Sequence, residues 1–168
     1  MATTYHFREG YALPYVGPGM CVLKRNLDVP ALIALGAEPN GLYVSDVATA
    51  LATTGFAATD ILQIFRVPAG FHVITGGVRI TTVGTDNIDI GIQTAAETLE
   101  GNADVDYWLN AGVITAATCL VFDHADGDAY NAIYQDVFLT NGSINVVFNT
   151  SAEAALIADF WVVGCKVW

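Results

Sequence analysis

Residues 71–92, FHVITGGVRITTVGTDNIDIGI, carry the pattern that decides the fold. In their second half Ile88, Ile90 and Ile92 alternate with Asp89 and a glycine, which is the period of two expected of a strand with one buried face. The first half alternates in the same way, and it places residues 74, 76, 78, 80 and 82 on one face. The four residues between the halves, GTDN, are turn formers. This stretch therefore predicts two strands joined by a turn.

Similar short β-rich runs, separated by Gly, Pro, Asn and Asp, continue in both directions along the chain. They predict about eight strands, at residues 21–29, 60–67, 71–83, 88–92, 118–122, 132–139, 143–149 and 158–168. Residues 44–59 fit either a loop or a short helix, and residues 94–106 predict a long loop over a sheet edge. Strands at this spacing predict an all-β fold, a β-sandwich or jelly roll.

The first 19 residues predict an extended N-terminal arm, followed by one domain over residues 20–168. The arm carries scattered aromatic rings, which need a surface to lie on, either the parent domain or a neighbouring subunit. The final strand is apolar on both faces, so we expect it to be central or covered by a partner. The predicted contact residues are Tyr5, Phe7, Tyr11, Tyr15, Trp161 and Trp168.

The composition is 54% hydrophobic but only 14% charged, whereas soluble domains carry about 25% charged residues. Either a membrane protein or a subunit that hides much of its surface would show this. The longest charge-free stretches, residues 107–122 and 137–152, span 16 residues each and contain polar residues, while a spanning helix needs about 20 apolar residues. Residues 1–9 also lack the apolar region of a signal peptide. We therefore expect no membrane partner and a subunit with large buried interfaces.

Acidic residues outnumber basic ones by 17 to 6, which gives a net charge of −11. Between positions 80 and 165 there are twelve Asp or Glu and no Lys or Arg. Such a chain repels phosphate, so we expect no nucleic-acid partner. Solubility, a basic partner and bound cations remain open as reasons for the acidity.

The three cysteines, Cys21, Cys119 and Cys165, are widely spaced among apolar neighbours and form no CxxC pair. This arrangement predicts buried, reduced thiols and assembly inside a cell.

The chain contains no GxSxG, HExxH, P-loop or GxGxxG motif, and we therefore predict that it is not an enzyme. The best cation candidate is the group Asp123, Asp126 and Asp128, whose carboxylates flank a glycine and could surround Ca²⁺. A solvated Asp-Gly turn explains the same residues, so calcium is the one cofactor left open. A second acidic group, made of Glu97, Glu100, Asp104 and Asp106, shows no feature of a glycosidase cleft.

Residues 60–92 resemble a run found in small proteins encoded beside the major capsid protein of tailed phages. The matching residues are Asp60, Ile61, Val67, Pro68, Ala69, Gly70, Val73, Val78, Ile80, Thr81, Ile88, Ile90 and Gly91. The segments 28–34, DVPALIA, and 159–163, DFWVV, are also similar to such proteins, and the resemblance covers residues 20–168. Residues 94–114 depart from the pattern by being longer than it requires.

The resemblance implies a head decoration, or cement, protein of jelly-roll type. Such a protein binds the outer surface of the major capsid protein lattice, stabilises the head and is expected to be a homotrimer. It would be made in the host cytoplasm and reside on the virion.

Two alternatives remain from the residues. One is a carbohydrate-binding β-sandwich of a head fibre or receptor-binding component, with its site at Tyr107, Trp108 and the loop of residues 123–128. The other is a different virion structural subunit, such as a minor capsid or tail component.

Overall fold

The computed structural model describes residues 2–7, 19–92, 104–122, 137–149 and 152–167. These residues form two β-sheets that pack on one shared core, which confirms the predicted all-β sandwich. The strands are β1 (Thr4–Phe7), β2 (Met20–Asp28), β3 (Leu42–Val44), β4 (Val47–Thr49), β5 (Ile61–Val67), β6 (Phe71–Thr82), β7 (Asn87–Ile92), β8 (Asp104–Val113), β9 (Cys119–Val121), β10 (Gly142–Phe148) and β11 (Ile157–Lys166).

One sheet has seven strands in the order β4-β3-β1-β5-β10-β7-β8, and the other has four in the order β2-β11-β6-β9. All pairs are antiparallel except β1 with β5, which is parallel. The core between the sheets is aromatic and aliphatic. Its largest side chains that are almost fully buried are Trp108, Phe56, Phe71, Phe138 and Phe148.

Residues 71–92 form β6 and β7, as predicted. The predicted grouping of side chains on the two faces of β6 is wrong near the start of the strand. Val163 of β11 pairs with Thr75, whereas the next residue, Gly164, pairs with Val73, so Ile74 is an extra residue in a bulge. A bulge reverses the alternation. Val73 is therefore buried, and Ile74, grouped by its period on one face with Val78 and Ile80, is 43% exposed while those two are buried.

The single helix of the described chain, α1 (Val29–Leu35), follows β2 directly. The Asp28 carboxylate accepts a hydrogen bond from the backbone N–H of Ala31 at 2.9 Å, and Pro30 lies in the first turn. Both features favour a helix start. With seven residues α1 is far too short to cross a bilayer, and the described chain holds no longer apolar helix that could.

Three strands, β3, β4 and β8, were not predicted, and the local backbone explains why. β3 and β4 have three residues each and are joined by Ser45 and Asp46, both with positive φ, as in a two-residue hairpin turn. β8 pairs with β7 through two register shifts, and Ala111 within it has a φ of 48°. Strands this short or this irregular show no clear period of two. The segment left open between loop and helix thus begins with a hairpin. The loop predicted over residues 94–106 is wrong for its last three residues, which belong to β8, and residues 94–103 lie outside the described residues.

The start of the predicted arm, β1, lies inside the seven-stranded sheet. It pairs with β3 on one side and with β5 on the other. The Asp60 carboxylate, which is buried, accepts hydrogen bonds from the backbone N–H groups of Thr3 and Ala57, each at 2.9 Å. Residues 8–18 of the arm lie outside the described residues.

A fully buried carboxylate, Glu153, joins three loops at one end of the sandwich. Its Oε2 accepts hydrogen bonds from the backbone N–H of Thr85 at 2.6 Å and from the Thr85 hydroxyl at 3.3 Å. Its Oε1 accepts from the N–H groups of Ala155 and Leu156 at 2.7 and 2.8 Å. The Glu153 backbone also exchanges two hydrogen bonds with Phe56. Gly55 has a φ of 78°, and any side chain there would collide with the Glu153 backbone.

Candidate association surface

The four-stranded sheet has one face in the core and one face toward solvent, which we call the outer face. Along β11 the residues Ala158, Phe160 and Val162 are buried in the core, while their neighbours are half-buried or exposed. The pairing register extends this alternation across the sheet. The outer face consists of Met20, Val22, Lys24, Asn26, Thr75, Gly77, Arg79, Cys119, Val121, Asp159, Trp161, Val163 and Cys165.

Large apolar side chains are exposed on this face and beside it. Met20 is 77% exposed, Val22 54% and Val121 50%, and the bulged Ile74 of β6 is 43% exposed. Isolated exposed apolar residues are ordinary, but several on one sheet are typical of a surface that associates.

Trp161 lies at the centre of the outer face. It pairs with Lys24 on β2 and with Gly77 on β6, and Gly77 in turn pairs with Val121 on β9. A Cβ placed on Gly77 would lie 3.0 Å from Cζ2 and 3.2 Å from Cε2 of the indole. The absence of a side chain at Gly77 therefore lets the indole lie against the strand, where it stays half-buried.

Charged groups surround Trp161 in a shallow depression of about 660 Å³, which we call the Trp161 groove. Asp159 pairs with Asn26 on one side and Arg79 on the other. The Asn26 side-chain amide donates to the Asp159 carboxylate at 2.9 Å. The outer-face side chains that line the groove are Val22, Lys24, Asn26, Arg79, Cys119, Asp159 and Trp161.

The four-stranded sheet is more basic than the chain that contains it. Its strands carry four of the six basic residues, Lys24, Arg25, Arg79 and Lys166, against two acids, Asp28 and Asp159. The chain as a whole has a net charge of −11. On the outer face itself the charged residues are two bases, Lys24 and Arg79, and one acid, Asp159. The outer face is thus apolar with a small excess of positive charge.

The cysteines differ from the predicted buried thiols. Cys119 is exposed on β9, while Cys21 and Cys165 are half-buried, and all three are free. Burial, and then the neighbouring Cys165, raise the pKa of the Cys21 thiol. Two of the three thiols therefore lie on the outer face because the strands that carry them face outward at those positions.

The predicted contact residues lie in two different places. Trp161 is on the outer face, whereas Tyr5 and Phe7 belong to β1 in the other sheet. Tyr5 meets Phe56 edge-on with ring centroids 5.3 Å apart, and the guanidinium of Arg25 lies 4.4 Å from the Phe7 ring centroid. Both rings thus have partners within their own chain, and their role in subunit contact stays a prediction. Tyr11, Tyr15 and Trp168 lie outside the described residues.

The sugar-binding site predicted at Trp108 is wrong for that residue. Trp108 is fully buried and packs against Phe122 and Phe138, with ring centroids 5.7 and 6.4 Å away. A sugar cannot stack on a ring that faces the core. The side chain of Tyr107 lies outside the described residues.

The predicted calcium ligands Asp123, Asp126 and Asp128 also lie outside the described residues, so calcium binding there stays a prediction. Among the residues that the structure does describe, no three His, Cys, Asp or Glu side chains come together as a metal site.

Sequence reasoning did not select Lys24, Arg79, Val22 or Val121 as site residues. One signal was available for β2, because its alternation groups Val22, Lys24 and Asn26 on one face. Nothing in the sequence says that β11 lies between β2 and β6, and this placement is what brings the four residues around Trp161.

Comparison with solved structures shows that the fold is shared. A chain from the capsid of Ralstonia phage GP4 superposes with a TM-score of 0.56 over 98% of this chain and 99% of that one, at 13% sequence identity. A chain of the cyanophage Pam1 capsid asymmetric unit aligns over 91% and 90%, with 14% identity and a TM-score of 0.45. No family model and no curated protein matches the sequence. At this identity the first likeness establishes a common fold.

Proposed function

We propose that the protein is a capsid accessory subunit of a phage, a decoration or cement protein that binds the outer surface of the major capsid protein lattice and stabilises the head. The observation that carries the proposal is the exposed apolar outer face of the four-stranded sheet. A sheet face of this kind suits a broad, flat contact with a shell. The shared fold with a chain of a phage capsid supports the same assignment.

Many copies on one shell would reinforce it even if each contact is weak, because the contacts act together. We further propose that the protein acts as a homotrimer on the virion. Catalysis is no part of the proposal, which requires a binding surface alone.

The proposal is tested by mixing the purified protein with undecorated shells of the same virus and measuring co-sedimentation and shell melting. We expect saturable binding and a higher shell melting temperature. Light scattering on the free protein gives its oligomeric state, for which we expect a trimer.

Paired variants locate the contact. Val22→Asp with Val121→Asp places charge in the outer face and should abolish shell binding. Val47→Asp is the matched control, because Val47 is a 65% exposed valine on β4, in the other sheet. Absence of wild-type binding would contradict the function, and loss of binding in the Val47 variant alone would contradict the assigned face.

A further inference from the structure

The charges around Trp161 restrict what the outer face can bind. Lys24 and Arg79 are exposed, and neither forms an ion pair within the described residues. They lie on β2 and β6, on either side of β11 and two residues apart along it, so their backbones are about 12 Å apart at the usual spacings of strands and residues. Among the described residues Asp159 is the carboxylate between them; it lies opposite Arg79 and accepts a hydrogen bond from Asn26.

The indole of Trp161 supplies the apolar centre between these two cations. It lies against Gly77, and the exposed side chains of Val22 and Val121 lie on the same outer face. Half-buried tryptophans that are ringed by polar groups are the usual anchors of protein interfaces. Exposed cations at the rim of such an anchor select partners of opposite charge and speed association.

From this arrangement we propose that the Trp161 groove binds an acidic, apolar segment of the major capsid protein. An apolar side chain of that segment packs on the Trp161 indole, and its carboxylates pair with Lys24 and Arg79. The inference rests on the proposed function and adds to it the chemistry of the partner surface. Charge complementarity supports it, because two exposed bases, Lys24 and Arg79, face one acid, Asp159, in the groove.

The geometry favours a protein segment over a sugar. Exposed apolar residues also lie beyond the groove, at Met20 and Ile74, so the apolar surface extends past the depression itself. A sugar site instead needs polar groups that converge on one ring-sized pocket. The four polar side chains among the seven outer-face residues of the groove lie on three separate strands.

The test measures binding of undecorated shells by three variants in rising salt. Trp161→Ala should weaken binding about thirtyfold, the loss expected of a central anchor. Lys24→Gln with Arg79→Gln should weaken binding about fivefold at low salt and remove most of its salt dependence. Lys166→Gln is the matched control, since Lys166 is an exposed base at the end of β11 outside the groove, and it should bind like the wild type. Circular dichroism and melting of each variant verify the fold.

The outcomes separate the inference from the function. Wild-type binding that all three variants retain would overturn the inference and leave the function standing, whereas no wild-type binding would overturn both. A change of oligomeric state in the groove variants would assign the groove to contact between copies, and this would also overturn the inference. The inference would also be overturned if the wild type bound acidic glycans on an array but not shells, and if Trp161→Ala abolished that glycan binding.

Discussion

Glu153 illustrates how one residue can hold a loop-rich sandwich end together. Its carboxylate accepts four hydrogen bonds, three of them from backbone N–H groups. Buried N–H groups that lose their acceptor cost the free energy of their desolvation. The side chain thus supports the segments around Thr85, Phe56 and Leu156, which are far apart in sequence.

We expect Glu153→Ala to lower the free energy of unfolding by about 3–5 kcal/mol, because it leaves several buried donors without an acceptor. The stability of Glu153→Gln should lie between that of the wild type and that of Glu153→Ala, because the side-chain amide keeps one oxygen acceptor but its NH₂ group can only donate. Urea denaturation measures the change. Glu38→Ala, at an exposed glutamate, is the control and should stay within about 0.5 kcal/mol of the wild type. Equal stability of the alanine variant and the wild type would refute this role.

His6 predicts a pH dependence of stability. It is buried in β1 and stacks on Tyr43 with ring centroids 5.9 Å apart. Burial lowers the pKa of His6 below its usual 6.5; nearby Asp46 opposes this shift and Arg66 adds to it. The folded state therefore favours the neutral imidazole. Its contribution to stability is fully present above about pH 6.5 and is lost as the pH falls toward the lowered pKa.

Melting temperatures measured between pH 7.5 and 5 should fall for the wild type. His6→Gln, which removes the titrating group, should show a shallower fall over the same range. Parallel pH profiles for the two proteins would exclude His6 as a source of the dependence.

Two tryptophans show what the sequence can say about a single residue. Trp108 and Trp161 both follow an aromatic neighbour, and nothing local separates a core ring from a surface ring. Their roles are set by which sheet face each occupies. Trp161 was selected as a contact residue because both faces of its strand are apolar, and that role stays a prediction, whereas Trp108 belongs to a strand whose bulges hide its period.

Among the elements, β1 has the least expected place. A terminal arm was predicted over residues 1–19, yet residues 4–7 link β3 to β5 within the seven-stranded sheet. Removing β1 would leave both neighbouring strands with unpaired backbone groups, and these cost free energy where water cannot reach them.

Deletion of residues 1–19 should therefore lower the melting temperature or prevent folding, and would do so whether or not the arm contacts another subunit. Tyr11→Ser with Tyr15→Ser leaves β1 intact, so shell binding by this variant is the cleaner measure of arm contact. A truncated protein with unchanged melting would show that β1 is dispensable.

Most of the strands that were predicted well are long. β2, β5, β6, β7, β10 and β11, together with the short β9, begin and end within two residues of their expected positions. β3, β4 and β8 were missed because short hairpins and bulged strands depend on backbone geometry that residue period does not encode. The sequence left two alternatives open for the last strand: a central place in its sheet, or an edge that a partner covers. It is central, and its outer face is nevertheless exposed.

At the scale of the whole molecule, the sequence predicts the fold class but not how charge is divided between the two sheets. Low charge and alternating strands indicate a β-sandwich that buries part of its surface against a partner. The concentration of basic residues on one sheet follows from which strands pair, and these pairings join segments from opposite ends of the chain. The site could be assembled only after the order β2-β11-β6-β9 was known.

The central position of β11 also sets the timing of assembly. In chain order β11 follows every other described strand, and it lies between β2 and β6. During synthesis on the ribosome the four-stranded sheet cannot close until β11 has been made, because β2 and β6 have no direct pairing. The Trp161 groove therefore does not exist on a nascent chain that lacks β11. Under the proposed function, an incomplete polypeptide would therefore lack the surface that binds the shell.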